Sequence, residues 1–286
     1  MSKSESKSLS IPSTYINQQF IEVLSKLNGI KEICKWREIK ERFNIDDELL
    51  IMIETANELS ILQKQSTLFR KKDNANEVLT AVWLGSILKK AKKLFFTQKV
   101  PSFTGLNQQD LINICSMSKN TSSINRMGNY LLHTHGIILI YEKSYSGMKV
   151  DGVVTKLNST PVIGMSMRFA RYDNYWFTLI HELAHITLHY ENLNQVVIDD
   201  LDNEDENGTQ METEANRLAS DSLISQRIFN KSDAVRYPNV ENLHKIASQA
   251  QIHPIVAAGL IRNRLNNFRV YSDLVNSINV HSLLEE

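Results

Sequence analysis

His181-Glu182-Leu183-Ala184-His185 is the stretch that decides how this sequence folds and what it can do. Two histidines four residues apart on a helix lie one turn above each other, so both imidazoles can reach one metal ion. The glutamate that follows the first histidine lies beside that ion, where it can take a proton from water. The pattern predicts a helix with a catalytic zinc site, in which His181 and His185 are ligands and Glu182 is the general base.

The composition indicates an ordinary globular protein. Apolar residues make up 42% and charged residues 22% of the 286 residues, which is typical of chains that bury a sizeable core. Lys and Arg together number 32, and so do Asp and Glu. This balance gives no overall field that would attract nucleic acid or a membrane surface.

The N-terminal residues, the lengths of the apolar stretches and the cysteines indicate the cellular compartment of the protein. The first ten residues are polar and lack the apolar core of a secretory signal, and no stretch approaches the ~18 apolar residues of a membrane span. The two cysteines, Cys34 and Cys115, lie far apart and form no disulfide framework. We therefore predict a cytoplasmic protein without a membrane span.

Residues 1–14 are predicted to be a disordered lead, and residues 15–73 a helical module. Apolar spacing predicts three helices and a basic ribbon within this module, at 15–27, 36–43, 46–59 and 61–72. That order resembles a winged helix-turn-helix, but its third helix carries five acidic residues where phosphate contacts need basic ones. DNA binding stays open, and a protein-docking or vestigial module is favoured.

Residues 74–286 are predicted to form the domain that carries the metal site. Short β-branched runs predict three strands, at 136–141, 149–155 and 161–167. Helical spacing predicts the zinc helix at 174–190 and further helices at 76–96, 108–115, 123–134, 211–225, 240–250, 254–265 and 271–278. The predicted fold class is α+β and mostly helical, with a small three-stranded sheet preceding the zinc helix, a helical N-terminal module and a helical C-terminal part.

The helix after the zinc helix offers the third ligand that a catalytic zinc requires. At about 100° per residue, Glu212 shares a face with Ala215 and Ala219, whereas Glu214 lies on the polar face. Small residues on the inward face would let this helix approach the zinc helix closely. We therefore predict Glu212 as the third ligand and Asn216, one turn on, as a hydrogen-bond partner that orients a liganding imidazole.

Other polar residues near the motif fit a metal less well. His189 continues the four-residue spacing, but its backbone lies about 12 Å along the helix from His181, so we expect it to be packed or hydrogen-bonded. Leu188 and Glu191 stand where a metzincin requires Gly and His or Asp. The acidic stretch 199–206 lacks the glycine of a calcium loop and is predicted to be a solvated loop.

Together, the motifs His181-Glu182-x-x-His185 and Glu212-x-x-Ala215-Asn216-x-x-Ala219 resemble the ImmA/IrrE family of zinc metallopeptidases. The flanking residues 168–172, 176–179 and 252–254 are similar to the subgroup associated with helix-turn-helix antitoxins or repressors. The resemblance covers about residues 76–270. It implies a gluzincin-like fold, a zinc cofactor, and an intracellular peptidase that cuts a helix-turn-helix repressor and so derepresses mobile-element, stress or phage-defence genes.

The sequence departs from that subgroup at its N-terminus, where the DNA-binding domain of the subgroup is not recognisable. A separate repressor protein is therefore the expected partner. Two alternative interpretations of the function stay open. One is an antitoxin-like regulatory binding protein with a structural or nearly silent metal site, although such a site needs no general base like Glu182. The other is zinc-dependent hydrolysis of a non-peptide amide, which needs the same residues.

Further residues are candidates for supporting roles in the peptidase reaction. An extra donor should stabilise the oxyanion, and His253, Tyr172 and Arg171 are candidates. The strand predicted at 161–167 ends just before the zinc helix and is the expected edge at which an extended substrate adds to the sheet. Cys115 is a candidate thiolate switch that occupies the open metal position, with a buried apolar role as the alternative.

Overall fold

The structure is a computed structural model that describes residues 75–194, 197–200 and 208–285. The predicted lead 1–14 and the predicted helical module 15–73, with its three helices and basic ribbon, lie outside the described residues. All described residues belong to one compact unit, Gln65–Glu286. The predicted domain boundary between residues 73 and 74 stays a prediction.

Helices dominate the described part of the chain. They are α1 (Ala75–Thr97), α2 (Gln108–Ser116), α3 (Ser123–Tyr130), α4 (Tyr172–His189), α5 (Gly208–Leu223), α6 (Gln226–Lys231), α7 (Val240–Ala250), α8 (Pro254–Arg264), α9 (Ser272–Val275) and α10 (Val280–Glu285). The strands are β1 (Ile138–Tyr141), β2 (Val150–Leu157), β3 (Thr160–Met165) and β4 (Val197–Asp200). The predicted α+β class, with a small sheet before the zinc helix and helices after it, is confirmed.

The sheet has the order β1-β3-β2-β4. β1 runs parallel to β3, and β2 runs antiparallel to both β3 and β4. The three predicted strands all form, but the sheet has a fourth strand that the sequence did not predict. β4 includes the first two residues of the acidic stretch 199–206, so the prediction of a solvated loop is wrong there. Val197 and Ile198 supply the β-branched side chains that favour a strand.

The prediction that the strand at 161–167 is the sheet edge is also wrong. β3 lies between β1 and β2 and pairs with both of them. Both rows of its backbone hydrogen-bonding groups are therefore used inside the sheet. Along the described chain, the edge positions belong to β1 and β4.

The sheet packs between α1 on one face and α4 on the other. On the α1 face, Gly164 lies directly against the side chains of Ile87 and Val153. On the α4 face, Val154 and Ile163 join the core that contains Leu179 and Leu183. This packing on both faces explains why β2 and β3 are buried along most of their length rather than on alternate residues.

Two local features direct the chain into the sheet. α2 begins with a capping box, in which the Asn107 side chain accepts from the Asp110 amide and the Asp110 carboxylate accepts from the Asn107 amide. α3 continues into a π-helical turn, Leu131–His135, which ends at Gly136 with φ +67°. A side chain at Gly136 would overlap the carbonyl of Pro101, so both the backbone conformation and the space require glycine.

The helical side of the core surrounds α4. Tyr172, Trp176, Leu179 and Leu183 are completely buried along its length. α5 packs across α4, and Ala215 and Ala219 are fully buried. Every helix among the described residues is too short or too polar to span a bilayer.

Candidate metal centre

His181 and His185 lie one above the other on α4, as their spacing predicts. Their side chains are 1% and 0% exposed, and their Nε2 atoms are 3.0 Å apart. The helix is fixed around them because its neighbouring apolar residues pack on the sheet, on α5 and on α8. The two imidazole nitrogens therefore converge on one point inside the protein.

Glu212 of α5 completes the cluster. Its Oε2 lies 3.1 Å from Nε2 of His181, and its Oε1 lies 3.2 Å from Nε2 of His185. The buried alanines Ala215 and Ala219 bring α5 close enough to α4 for a glutamate side chain to span the gap. The structure therefore places Glu212 at the position predicted for the third ligand from the face that it shares with Ala215 and Ala219.

Glu214 lies on a different side of α5. Its side chain is 46% exposed, its Oε1 accepts from Nε2 of Gln210, and its Oε2 lies 3.7 Å from Nε2 of His189. The same His189 nitrogen lies 3.3 Å from the carbonyl of Met211. His189 is therefore a packed, hydrogen-bonded residue one turn beyond the cluster, as expected.

The three side chains fit a zinc-type ion. One donor atom from each of His181, His185 and Glu212 lies within 4.8 Å of the others, and this is the only such group among the residues that the structure describes. Tetrahedral zinc with ligand bonds of about 2.0–2.1 Å holds its donors ~3.3 Å apart, which is close to the separations of 3.0–3.2 Å here. Two imidazoles and one carboxylate are a donor set typical of catalytic zinc.

The electrostatics of the cluster suit a cation. Burial lowers the pKa of His185 even though hydrogen bonding to Glu212 opposes the shift, so the imidazole is neutral, as a metal ligand must be. Burial alone would raise the pKa of Glu212, but the hydrogen bonds from His181 and His185 outweigh it and lower that pKa to about 2. The cluster therefore holds an ionised carboxylate against neutral imidazole.

Glu182 lies on the sheet side of α4 and is 1% exposed. Its carboxyl end rests against Gly152 of β2, where any side chain would overlap Oε1 of Glu182. Gly152 has no side chain that would mark it as a site residue in the sequence. The available signal is that it is an isolated glycine in a strand with four β-branched residues, a pattern that marks such a close approach.

The strand above Glu182 is therefore β2 and not β3. The outer edge of β2 pairs with β4, but the register between them shifts between Val150 and Val153. Gly152 lies within this irregular part of the pairing. The local departure from regular strand pairing is thus directly above the Glu182 carboxylate.

The hydrogen bond predicted for Asn216 is not made in this structure. Asn216 is half-buried one turn beyond Glu212, and no hydrogen bond joins it to either imidazole within the described ranges. Nδ1 of His185 is buried and has no hydrogen-bond partner among the described residues. Its ring orientation is therefore set by packing and by the contacts of its Nε2 atom.

Tyr172 is not an oxyanion donor in this structure. Its hydroxyl donates to the carbonyl of Ser118 at 2.6 Å, and burial raises its pKa to about 12. Tyr172 precedes His181 by nine residues, which is about 13 Å along the helix axis. The hydroxyl therefore ties the start of α4 to the 3-10 turn Met117–Lys119 and lies far from the cluster.

His253 lies at the same end of α4 as Tyr172. Its Nδ1 accepts from the Ile255 amide at 3.1 Å, which caps α8, and its ring packs edge-on against Tyr172 at 5.2 Å. Arg171 also lies at this end, with its Nε donating to Oδ1 of Asp173 at 3.0 Å. The three oxyanion candidates thus form their hydrogen bonds at the start of α4, away from the cluster, and their role as oxyanion donors stays a prediction.

Removing the Tyr172 hydroxyl tests this structural role. Tyr172→Phe leaves the buried Ser118 carbonyl without its donor and should lower the free energy of unfolding by about 1 to 3 kcal/mol. Denaturant unfolding measures this loss, and metal analysis should show unchanged zinc content. Lost cleavage in a variant of full stability would instead place the hydroxyl in the reaction.

Cys115 lies in the hydrophobic core. It is 1% exposed on α2 beside Leu111 and Ile114, and burial raises the pKa of its thiol far above the ordinary value. The group of candidate ligand atoms in the described chain does not include it. In this structure Cys115 is therefore a small buried residue of the core, which supports the apolar alternative over the thiolate switch.

We expect Cys115→Ala to behave as a minor core truncation. It should cost about 1 kcal/mol of unfolding free energy, because the sulfur leaves a small cavity. Zinc content and cleavage rate should equal those of the wild type at a temperature where both are folded. Activation by this substitution would revive the switch.

Comparison with protein families agrees with this site. Residues 134–258 match Peptidase_M78, the IrrE N-terminal-like domain. The matched segment runs from the end of the π-helical turn into α8 and includes His181, Glu182, His185 and Glu212. A search of curated proteins finds no match to this chain. The family supports a metallopeptidase-type function. Residues 134–258 are therefore similar to the IrrE N-terminal-like Peptidase_M78 family, in agreement with the family resemblance of the two helix motifs.

Proposed function

We propose that the protein is a zinc-dependent endopeptidase that cleaves a helix-turn-helix transcriptional repressor and thereby derepresses mobile-element, stress or phage-defence genes. One observation carries the peptidase proposal. The buried Glu182 carboxylate lies on the same two turns of α4 as the imidazoles that converge on Glu212. A structural metal site has no use for this additional carboxylate, whereas peptide hydrolysis needs a base there.

The metal ligands and Glu182 have different roles in the proposed hydrolysis. His181, His185 and Glu212 would hold the ion, and zinc, when bound, supplies a Lewis acid that activates water and polarises the scissile carbonyl. Glu182 accepts the proton of the attacking water and then passes it to the nitrogen of the leaving amine. Because Glu182 is buried, bulk water competes little for its carboxylate, which strengthens its interaction with the reacting groups.

The repressor is proposed as substrate because the family resemblance implies it. An extended peptide segment can bind along a sheet edge. The strand nearest to Glu182 is β2, and β4 pairs with the outer side of β2 and forms the edge of the sheet there. A folded repressor offers an extended segment only in a linker or a mobile terminus. We therefore propose one cut in such a segment and latency until a signal such as DNA damage or phage infection. The repressor is a separate partner, and direct DNA binding by residues 15–73 is not favoured.

Selectivity tests this proposal. The zinc-loaded chain is incubated in parallel with casein and with a helix-turn-helix regulator, and the products are followed by mass spectrometry. We expect one cut in the regulator and little digestion of casein. Rapid digestion of casein would contradict the proposed specificity. A stable complex that leaves the regulator intact would favour the antitoxin-like binding protein with a nearly silent metal site.

A further inference from the structure

We propose that Gly152 is a positioning residue whose missing side chain sets where the Glu182 carboxylate lies. The proposal rests on the proposed function in one respect, namely that Glu182 is the general base. Gly152 does not need to touch substrate or metal for this role. Because Gly152 has no side chain, it leaves room for the carboxylate of Glu182.

The contact involves the whole end of the glutamate side chain. A Cβ atom at Gly152 would overlap Oε1 of Glu182 and would lie 2.8 Å from Cδ and 3.0 Å from Cγ. Contacts this short do not occur between real side chains. The carboxyl group therefore rests directly on the backbone of β2, and a methyl group on Gly152 would force one of the two residues to move.

Strand β2 cannot readily move away from Glu182. Gly152 is in register with Met165 of β3, and next to it the carbonyl of Asp151 accepts from the Ser166 amide at 2.9 Å. β3 is in turn held by β1 on its other side. Moving β2 away from Glu182 would therefore disturb the pairing in the centre of the sheet.

The helix cannot readily yield either. Leu179 and Leu183, which flank Glu182 on α4, are fully buried, and the far side of the helix packs on α5. The movable part is the glutamate side chain itself. An added methyl group should therefore displace the carboxylate, while the His181 and His185 ligands keep their places.

A displaced base fails because proton transfer requires hydrogen-bond reach of about 2.6–3.2 Å. Gly152→Ala should lower kcat for repressor cleavage by about 100-fold, the low end of what a general base contributes, with KM changed less than about threefold. Zinc content should stay at the wild-type value. Shortening the base makes room, so in a Glu182→Asp background the same alanine should lower kcat by less than about tenfold.

Gly164→Ala is the matched control. Gly164 lies in the neighbouring strand β3, where an added Cβ would overlap Ile87 and Val153 on the α1 face, away from Glu182. This variant should lose stability through overpacking, yet keep its zinc and its kcat. It separates a general weakening of the sheet from displacement of the base.

A thermal cycle tests the positioning without any substrate. Gly152→Ala should lower Tm by several degrees in the wild-type background and by little or nothing in a Glu182→Ala background, where the overlapping atoms are gone. Gly164→Ala should lower Tm equally in both backgrounds. Equal Tm losses for Gly152→Ala in both backgrounds, or a full kcat in the zinc-loaded variant, would overturn the proposal. If the wild type cleaves no regulator, the proposed function fails, and the thermal cycle still decides whether Gly152 positions Glu182.

Discussion

Glu182→Gln is expected to lower the rate of repressor cleavage by about 10²- to 10⁴-fold, which is the contribution of a well-placed general base. Glutamine keeps the shape of the side chain but cannot accept the proton of the attacking water. The buried contact with Gly152 should persist, since the two side chains differ by one atom. Single-turnover cleavage, followed by mass spectrometry, measures the loss.

Glu214→Gln is the matched control for that variant. Glu214 lies on the neighbouring helix α5, half-exposed beside His189 rather than in the cluster. It should keep the wild-type cleavage rate, and both variants should keep zinc. Glu182→Gln cleaving at the wild-type rate would remove Glu182 from the mechanism.

His181→Ala and His185→Ala are each expected to remove the metal. Each takes away one of three donors that converge within hydrogen-bonding distance of one another, and the remaining two cannot complete a catalytic zinc site. The zinc content of the purified protein should fall from about one ion per chain to nearly none. The stabilisation that bound zinc gives should vanish with it, which a Tm measured with added zinc would show.

The carboxylates give this experiment its control. Glu212→Ala should weaken zinc binding, whereas Glu214→Ala should leave zinc content near the wild-type value, because Glu212, and not Glu214, contacts the two imidazoles. The reverse outcome, with zinc lost in Glu214→Ala and kept in Glu212→Ala, would show that the ligand assignment is wrong.

The core of the site could be predicted because its geometry is local. His181, Glu182 and His185 lie within two turns of one helix, so the helical repeat alone fixes how they face. Glu212 lies on another helix, but the buried side of α5 is marked by Ala215 and Ala219. Its position on the buried side of α5 therefore distinguishes Glu212 from Glu214 in the sequence.

The strand order could not be predicted in the same way. Short apolar runs predict that strands form, and β1, β2 and β3 all do. Which strand lies in the centre depends on pairing between distant segments, and β1 pairs with β3 rather than with β2, its neighbour in sequence. β4 escaped prediction because its short β-branched run in the sequence, Val196 to Ile198, leads directly into a longer acidic stretch.

The contacts of the supporting residues could not be predicted for a related reason. Tyr172 and His253 are polar and lie close to the family motifs in sequence, but their hydrogen bonds to Ser118 and Ile255 commit them to the far end of α4. Gly152 is the opposite case, since it has no side chain to suggest a role. Its importance depends on a contact with Glu182 across 30 residues of sequence, which only the folded chain shows.

The most direct measurement of the central claim is the intact mass of a helix-turn-helix repressor after incubation with the zinc-loaded chain. We predict two fragments whose masses sum to that of the repressor plus one water, from a single cut in a linker or mobile terminus. The fragments should be absent after chelation and absent with Glu182→Gln. A repressor that remains intact with the zinc-loaded chain, or is cut equally by Glu182→Gln, would contradict the account.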